Sequence, residues 1–143
     1  MSTAPTTSSG HCLCGAVDYT VNGELRPVIF CHCEQCRRSS GHFVAATACR
    51  PEQLSIVGEE NIKWYRSSAS AERGFCQHCG SNLFWKPEHG GHWSIWAGSV
   101  NRPTGLKASQ HIYVHMKSDY YELDDGLPQF AEEYKGYFDD AVQ

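Results

Sequence analysis

The chain has 143 residues, enough for one domain with its own core. Apolar residues make up 41% and charged residues 20%, close to the average of globular proteins. A net charge of −4 and a pI near 6.0 argue against a general nucleic-acid binder, which needs a basic face, and no apolar run approaches the roughly 20 residues of a membrane-spanning helix.

The opening MSTAPTTSSG is rich in Ser, Thr and Pro and has neither a basic region nor an apolar stretch. Residues 1–9 are therefore expected to be a disordered lead-in rather than a signal peptide, with residues 10–138 forming one domain in the cytoplasm. Along that domain the pattern is mainly β. Val17, Tyr19 and Val21 alternate with Asp18 and Thr20, and the runs 28–30, 43–48 and 54–57 read as further strands. Ile62 and Trp64 alternate with Lys63 and Tyr65, and Trp93, Ile95 and Ala97 alternate with Ser94 and Trp96. Ile112, Val114 and Met116 alternate with His111, Tyr113 and His115, which predicts a strand carrying both histidines on one face. Helix is scarce. Phe130, Tyr134 and Phe138 fall four apart behind Pro128, which predicts a short C-terminal helix. Short strands at close spacing mean a sandwich or a small barrel, and the pattern does not choose the topology.

Eight cysteines without a secretory signal point to metal or catalysis before disulfides. Seven of them form three clusters: Cys12-Leu13-Cys14-Gly15, Cys31-His32-Cys33-Glu34-Gln35-Cys36, and Cys76-Gln77-His78-Cys79-Gly80. The first and third end in Cys-Gly. A metal knuckle turns its backbone tightly around sulfur, and Gly tolerates the positive φ that such a turn demands. Cys12 and Cys14 are therefore paired with Cys76 and Cys79 as a closed structural zinc site, the two pairs lying roughly 60 residues apart. The middle cluster has three thiols, no closing Gly and no obvious fourth ligand, the pattern of an open, catalytic zinc. Competing readings are buried core thiols, disulfides, one zinc site with spare cysteines, and an iron–sulfur cluster. Cys49 stands alone in a strand and reads as a small buried hydrophobe.

Residues GHCLCGAVDY, CHCEQCRRSSG, GFCQHCGSNLFW, WAGSVNRP and HIYVHMKSDYYEL, in that order, resemble the glutathione-dependent formaldehyde-activating enzyme family, whose domain type also occurs in centromere protein V. The resemblance covers residues 10 to about 135. It implies a complex antiparallel β sandwich, a structural zinc on Cys12, Cys14, Cys76 and Cys79, and a catalytic zinc on Cys31, Cys33 and Cys36. It also implies a carbon–sulfur lyase activity, the condensation of formaldehyde with glutathione to S-(hydroxymethyl)glutathione in formaldehyde detoxification. Two segments depart from the family pattern: Val100-Asn101-Arg102-Pro103 replaces a common Leu-Asp before the Pro, and Tyr120 and Tyr121 occupy a region where a Trp is common.

Three functions follow for comparison. In the first, a glutathione-like thiol and a small aldehyde meet at the open zinc. Arg37 and Arg38 contact the thiol co-substrate, His32 contacts it or orients the metal loop, and Ser39 and Ser40 are further helpers. In the second, the domain is a non-catalytic zinc module that binds a protein or chromatin. In the third, Cys49 is the nucleophile of a redox reductase. His78 reads as exposed, and the four tryptophans read as core, with Trp96, out of phase with Trp93, as the possible exception.

Overall fold

The structure is a computed structural model and describes residues 6–133. Among the described residues, ten strands form two sheets. The small sheet is antiparallel, in the order β1 (Thr7–His11), β2 (Asp18–Asn22), β5 (Leu54–Val57). The large sheet has seven strands in the order β10, β3, β4, β9, β8, β7, β6. These are β3 (Val28–Cys31), β4 (Val44–Cys49), β6 (Ile62–Ser68), β7 (Ala71–Cys76), β8 (Asn82–Pro87), β9 (Trp93–Trp96) and β10 (Ala108–Ile112). One helix, α1 (Glu34–Ser40), follows β3.

Alternation explains how the sheets face each other. On β2, Tyr19 and Val21 are buried while Asp18 and Asn22 are exposed. Tyr19 meets Phe84 of β8 edge-on, with ring centroids 5.5 Å apart. Val17, Leu83, Ile95 and Cys49 complete the core between the sheets, and Trp64 and Trp93 pack against it. A second cluster lies where α1 covers the large sheet, built from Ile29, Cys31, Cys36, Val44, Ala46 and Ile112. The reading of a mainly β, two-sheet fold is correct.

Four details differ from the sequence reading. First, β1 begins at Thr7, so residues 7–9 pair with β2 instead of trailing as a disordered lead-in. Second, the sandwich is not wholly antiparallel, because β10 pairs with β3 in parallel, while every other paired strand runs antiparallel. Third, the strand predicted through Met116 stops at Ile112. Tyr113 adopts a left-handed φ of 55°, and Val114–Met116 form a 3₁₀ turn. The N–H of Tyr113 donates to Glu132 O and that of Val114 to Phe130 O, so these groups leave the sheet ladder. Fourth, the tail is extended where the helix was predicted to start. Gln129 bridges His111 in parallel and Phe130 packs beside the second core cluster, which covers the outer edge of β10. Tyr134 and Phe138 lie outside the described residues.

Candidate metal centres

The closed site is built by two tight turns. Cys12 follows β1, and its turn closes through Gly15 N–H donating to Cys12 O, with Gly15 at φ 84°. Cys76 ends β7, and its turn closes through Gly80 N–H donating to Cys76 O, with Gly80 at φ 79°. Both glycines therefore sit in the left-handed region that the knuckle reading requires. Backbone amides point at sulfur: Val17 N–H reaches Cys12 Sγ at 3.3 Å and His78 N–H reaches Cys76 Sγ at 3.4 Å. Leu13 N–H donates to Ser81 Oγ at 2.9 Å and ties one turn to the other. Cys14 Sγ lies 3.7 Å from both Cys12 Sγ and Cys76 Sγ, and all four sulfurs lie within 4.8 Å of one another.

Those spacings exclude disulfides, whose sulfurs sit about 2.05 Å apart. They match the edge of a tetrahedron of sulfurs around zinc, about 3.8 Å for a 2.3 Å Zn–S bond. The thiols also pull apart electrically. Ser81, through its hydroxyl and its backbone, holds Cys79 down at about 5. Ala16 N–H favours the Cys14 thiolate, but burial and the three neighbouring thiols push that group up to about 11. Four sulfurs this close ionise together only around a cation, so the donor set fits zinc. His78 is exposed and hydrogen bonds Asn61.

The open site joins the end of β3 to α1. Cys31 is the last residue of β3, Cys33 is the N-cap of α1, and Cys36 lies in its first turn. The helix was not anticipated. Its geometry replaces the missing Gly, because Cys36 N–H donates to Cys33 Sγ at 3.3 Å and Gly41 closes the far end in the left-handed region. The three sulfurs lie within 4.8 Å of one another, and no fourth His, Cys, Asp or Glu joins them among the described residues. Cys31 and Cys36 are buried, whereas Cys33 opens onto a cleft of about 750 Å³. The Cys31 and Cys36 thiols donate to Cys33 and hold it at about 2, and the Arg73 charge adds to this. Cys31 is pushed up in return.

Arg73, on β7, has no counterpart in the sequence reading. It is 7% exposed, and its Nη2 donates to Cys36 Sγ at 3.8 Å and to Gln35 Oε1 at 3.3 Å. Its guanidinium carbon lies 5.9 Å from the Trp96 ring centroid. Its charge reaches the trio from a strand distant in sequence. Arg38 lines the cleft and pairs with Glu34 at 3.1 Å on the surface. Arg37 is half-buried and is not among the residues that line the cleft. Ser39 and Ser40 donate back to helix carbonyls, and Ser39 also lines the cleft.

His32 is 1% exposed and spends both ring nitrogens inside the protein. Nδ1 hydrogen bonds the Tyr121 hydroxyl at 2.8 Å and Nε2 hydrogen bonds His111 Nδ1 at 2.9 Å, while His111 Nε2 reaches Asp125 Oδ2 at 2.8 Å. A carboxylate only accepts, so His111 Nε2–H donates to Asp125 at the end of the row. Burial, then the neighbouring His111, pushes His32 down to about 4 and keeps it neutral. His32 is thus tied on both sides by hydrogen bonds within the protein. Tyr121, in the segment that departs from the family pattern, is its partner, and sequence alone gave no sign of Asp125. His115 lies off this row and hydrogen bonds Ala131 O. Cys49 is fully buried, and burial, then Glu52, raises its thiol to about 12.

A two-sheet β protein with one four-sulfur knuckle site and one three-sulfur site opening on a cleft is a metal-binding protein of a defined class. The family described as glutathione-dependent formaldehyde-activating enzyme matches residues 7–116, and the chain belongs to that family. An uncharacterized lyase of Schizosaccharomyces pombe is 36% identical over 81 residues, which is 57% of this chain and 58% of that protein. The chain thus matches little more than half the length of that relative. The crystal structure of a Rhodobacter sphaeroides protein, 25% identical, superposes with a TM-score of 0.56 and covers 71% of this chain and 99% of its own.

Proposed function

We propose that the protein is a zinc-dependent carbon–sulfur lyase that condenses a glutathione-like thiol with a small aldehyde, formaldehyde being the family's example, and that residues 10–138 act as one unit. The observation that carries this reading is the contrast between the two sites. One surrounds its metal position with four sulfurs; the other brings three to a cleft large enough for a small peptide thiol. Zinc on Cys31, Cys33 and Cys36 would supply a place where a thiol binds as its thiolate at neutral pH. Zinc on Cys12, Cys14, Cys76 and Cys79 would be structural.

The chain's own residues do the rest. Cys33 faces the incoming thiol from the cleft wall. Arg73 offsets the negative charge that three thiolates bring. The His32–His111–Asp125 row fixes the β3–α1 turn so that the three sulfurs keep their spacing. Arg38, at the cleft rim, is placed to meet a carboxylate of a peptide thiol. Trp85 and Tyr113 give the cleft an apolar wall that holds the aldehyde against water. No helix among the described residues is long and apolar enough to cross a membrane. A cytoplasmic site of action, where thiols stay reduced, belongs to this proposal.

The test is cobalt substitution. Adding glutathione to the cobalt-loaded protein should add the charge-transfer intensity of a fourth sulfur, and an alcohol of similar shape should not. Cys33→Ala should lose one metal per chain by mass spectrometry and lose the response. A spectrum that no thiol moves would leave the non-catalytic zinc module as the better reading.

A further inference from the structure

Arg73 has more donors than the cysteine trio uses. One nitrogen, Nη2, reaches Cys36 Sγ and Gln35. The other two, Nε and Nη1, are buried and have no hydrogen-bond partner among the described residues. A buried guanidinium N–H without an acceptor costs on the order of 1–3 kcal/mol, and a fold carries that cost where a ligand relieves it. Ser67 repeats the pattern: its Oγ is buried without a partner among the described residues, and Ser67 and Arg73 line the same cleft onto which Cys33 opens. The other cleft arginine, Arg38, is exposed and already paired with Glu34. Arg73 and Ser67 thus carry unspent donors on the cleft onto which Cys33 opens, and Arg73 also touches the sulfur of Cys36.

We propose that Arg73, assisted by Ser67, is the oxyanion donor of this cleft: it holds the alkoxide oxygen that develops when a thiol sulfur adds to an aldehyde. This rests on the carbon–sulfur reading above and assigns the group that bears its charge. The step is an addition with no redox change. The sulfur electron pair forms the C–S bond, the carbonyl π pair moves to oxygen, and the proton that the thiol gave up ends on that oxygen. The alkoxide sits one carbon from the attacking sulfur, so its donor must lie beside the metal-binding sulfurs and not at the cleft rim. Arg73 meets that requirement through its contact with Cys36. A carboxylate of a longer thiol would lie further out, where Arg38 stands.

The test compares two small sulfur ligands on the metal-loaded, full-length protein. Thioacetate carries a carbonyl oxygen that shares the anion's charge on the carbon that bears its sulfur, where the adduct has its alkoxide; ethanethiol has the same two-carbon skeleton without that oxygen. The ratio of their affinities is measured by calorimetry for the wild type, Arg73→Gln and Arg73→Met, each checked for metal content and circular dichroism. The intrinsic ionisation of the two ligands cancels between proteins. The ratio should fall by about tenfold or more in whichever neutral variant keeps its metal, with ethanethiol binding little changed, and by a smaller factor in Ser67→Ala. A ratio unchanged within about twofold, or an equal loss for both ligands, overturns the proposal and leaves Arg73 as a counter-charge only. Adduct formation from glutathione and aldehydes is followed separately. A falling ratio without any adduct defeats the carbon–sulfur reading and keeps the anion site. Adduct formation with an unmoved ratio keeps that reading and defeats the proposal.

Discussion

Cys33 and Cys49 show how far surroundings set the chemistry of one side chain. Cys33 faces a cleft, accepts hydrogen bonds from two thiols and an amide, and ionises near 2. Cys49 is sealed between the sheets, where burial raises it to about 12. In the metal-stripped protein, an alkylating agent should label Cys33 first and leave Cys49 untouched until the chain unfolds. Peptide mass mapping reads this, and early labelling of Cys49 would revive the redox reading. Tyr19 belongs with Cys49, since burial raises its hydroxyl to about 12 against an opposing hydrogen bond with Ser99. Both groups are neutral in the fold and ionise more readily in the unfolded chain. Their contribution to stability is complete below pH 9 and is lost as pH rises towards about 12. Alkaline unfolding should therefore begin at higher pH in Cys49→Ala than in the wild type, once each is referred to its own stability at pH 8. Gly15 and Gly80 make the opposite kind of case. A Cβ at either would meet nothing within 4 Å, so alanine costs only the left-handed backbone, about 1–2 kcal/mol each. Denaturant unfolding should show that loss with zinc content unchanged.

Alternation revealed β2, β6 and β9, and the run 54–57 revealed β5. β2, β5, β6 and β9 fall within a residue or two of their sequence positions, apart from β6, which runs three residues further. β7 was not legible. Its stretch AERGFC carries Glu72 and Arg73, which read as exterior, and no pattern reveals that an arginine is buried for its charge. α1 was hidden for another reason: its seven residues are too few for a period to show, and its cap is a cysteine instead of Ser, Thr, Asp or Asn. The predicted strand beyond Ile112 failed because alternation persists through Met116 while Tyr113 turns the backbone aside. The cysteine pairs were fully legible, since Cys-Gly reports a turn and not a distant contact. The same contrast sets metal affinity. The closed site draws four sulfurs from two facing turns, and the open site draws three from a single segment. Mild chelation should remove about half of the zinc and leave the β circular dichroism intact. Simultaneous loss of both metals with unfolding would contradict this.

At the scale of the whole molecule, the proposed zinc on Cys12, Cys14, Cys76 and Cys79 would clip the two sheets together. Cys12 follows β1 of the small sheet and Cys76 ends β7 of the large one, 64 positions further along. Cys79→Ala should cost at least about 4 kcal/mol and abolish cooperative unfolding, because the missing ligand releases one sheet from the other. A soluble Cys79→Ala protein with a single sharp transition would refute the clip. The parallel pairing of β3 with β10 has a consequence of its own, and it concerns the order of synthesis. All ligands of the clip have left the ribosome once Cys79 has emerged, whereas the wall beside the open trio is made only when residues 108–112 arrive. A parallel partner so distant in sequence is slow to close. The fold is thus expected to mature from its staple towards its cleft, and a truncated chain ending at Lys107, released from the ribosome, should hold one tightly bound zinc while its three remaining cluster cysteines are still open to alkylation.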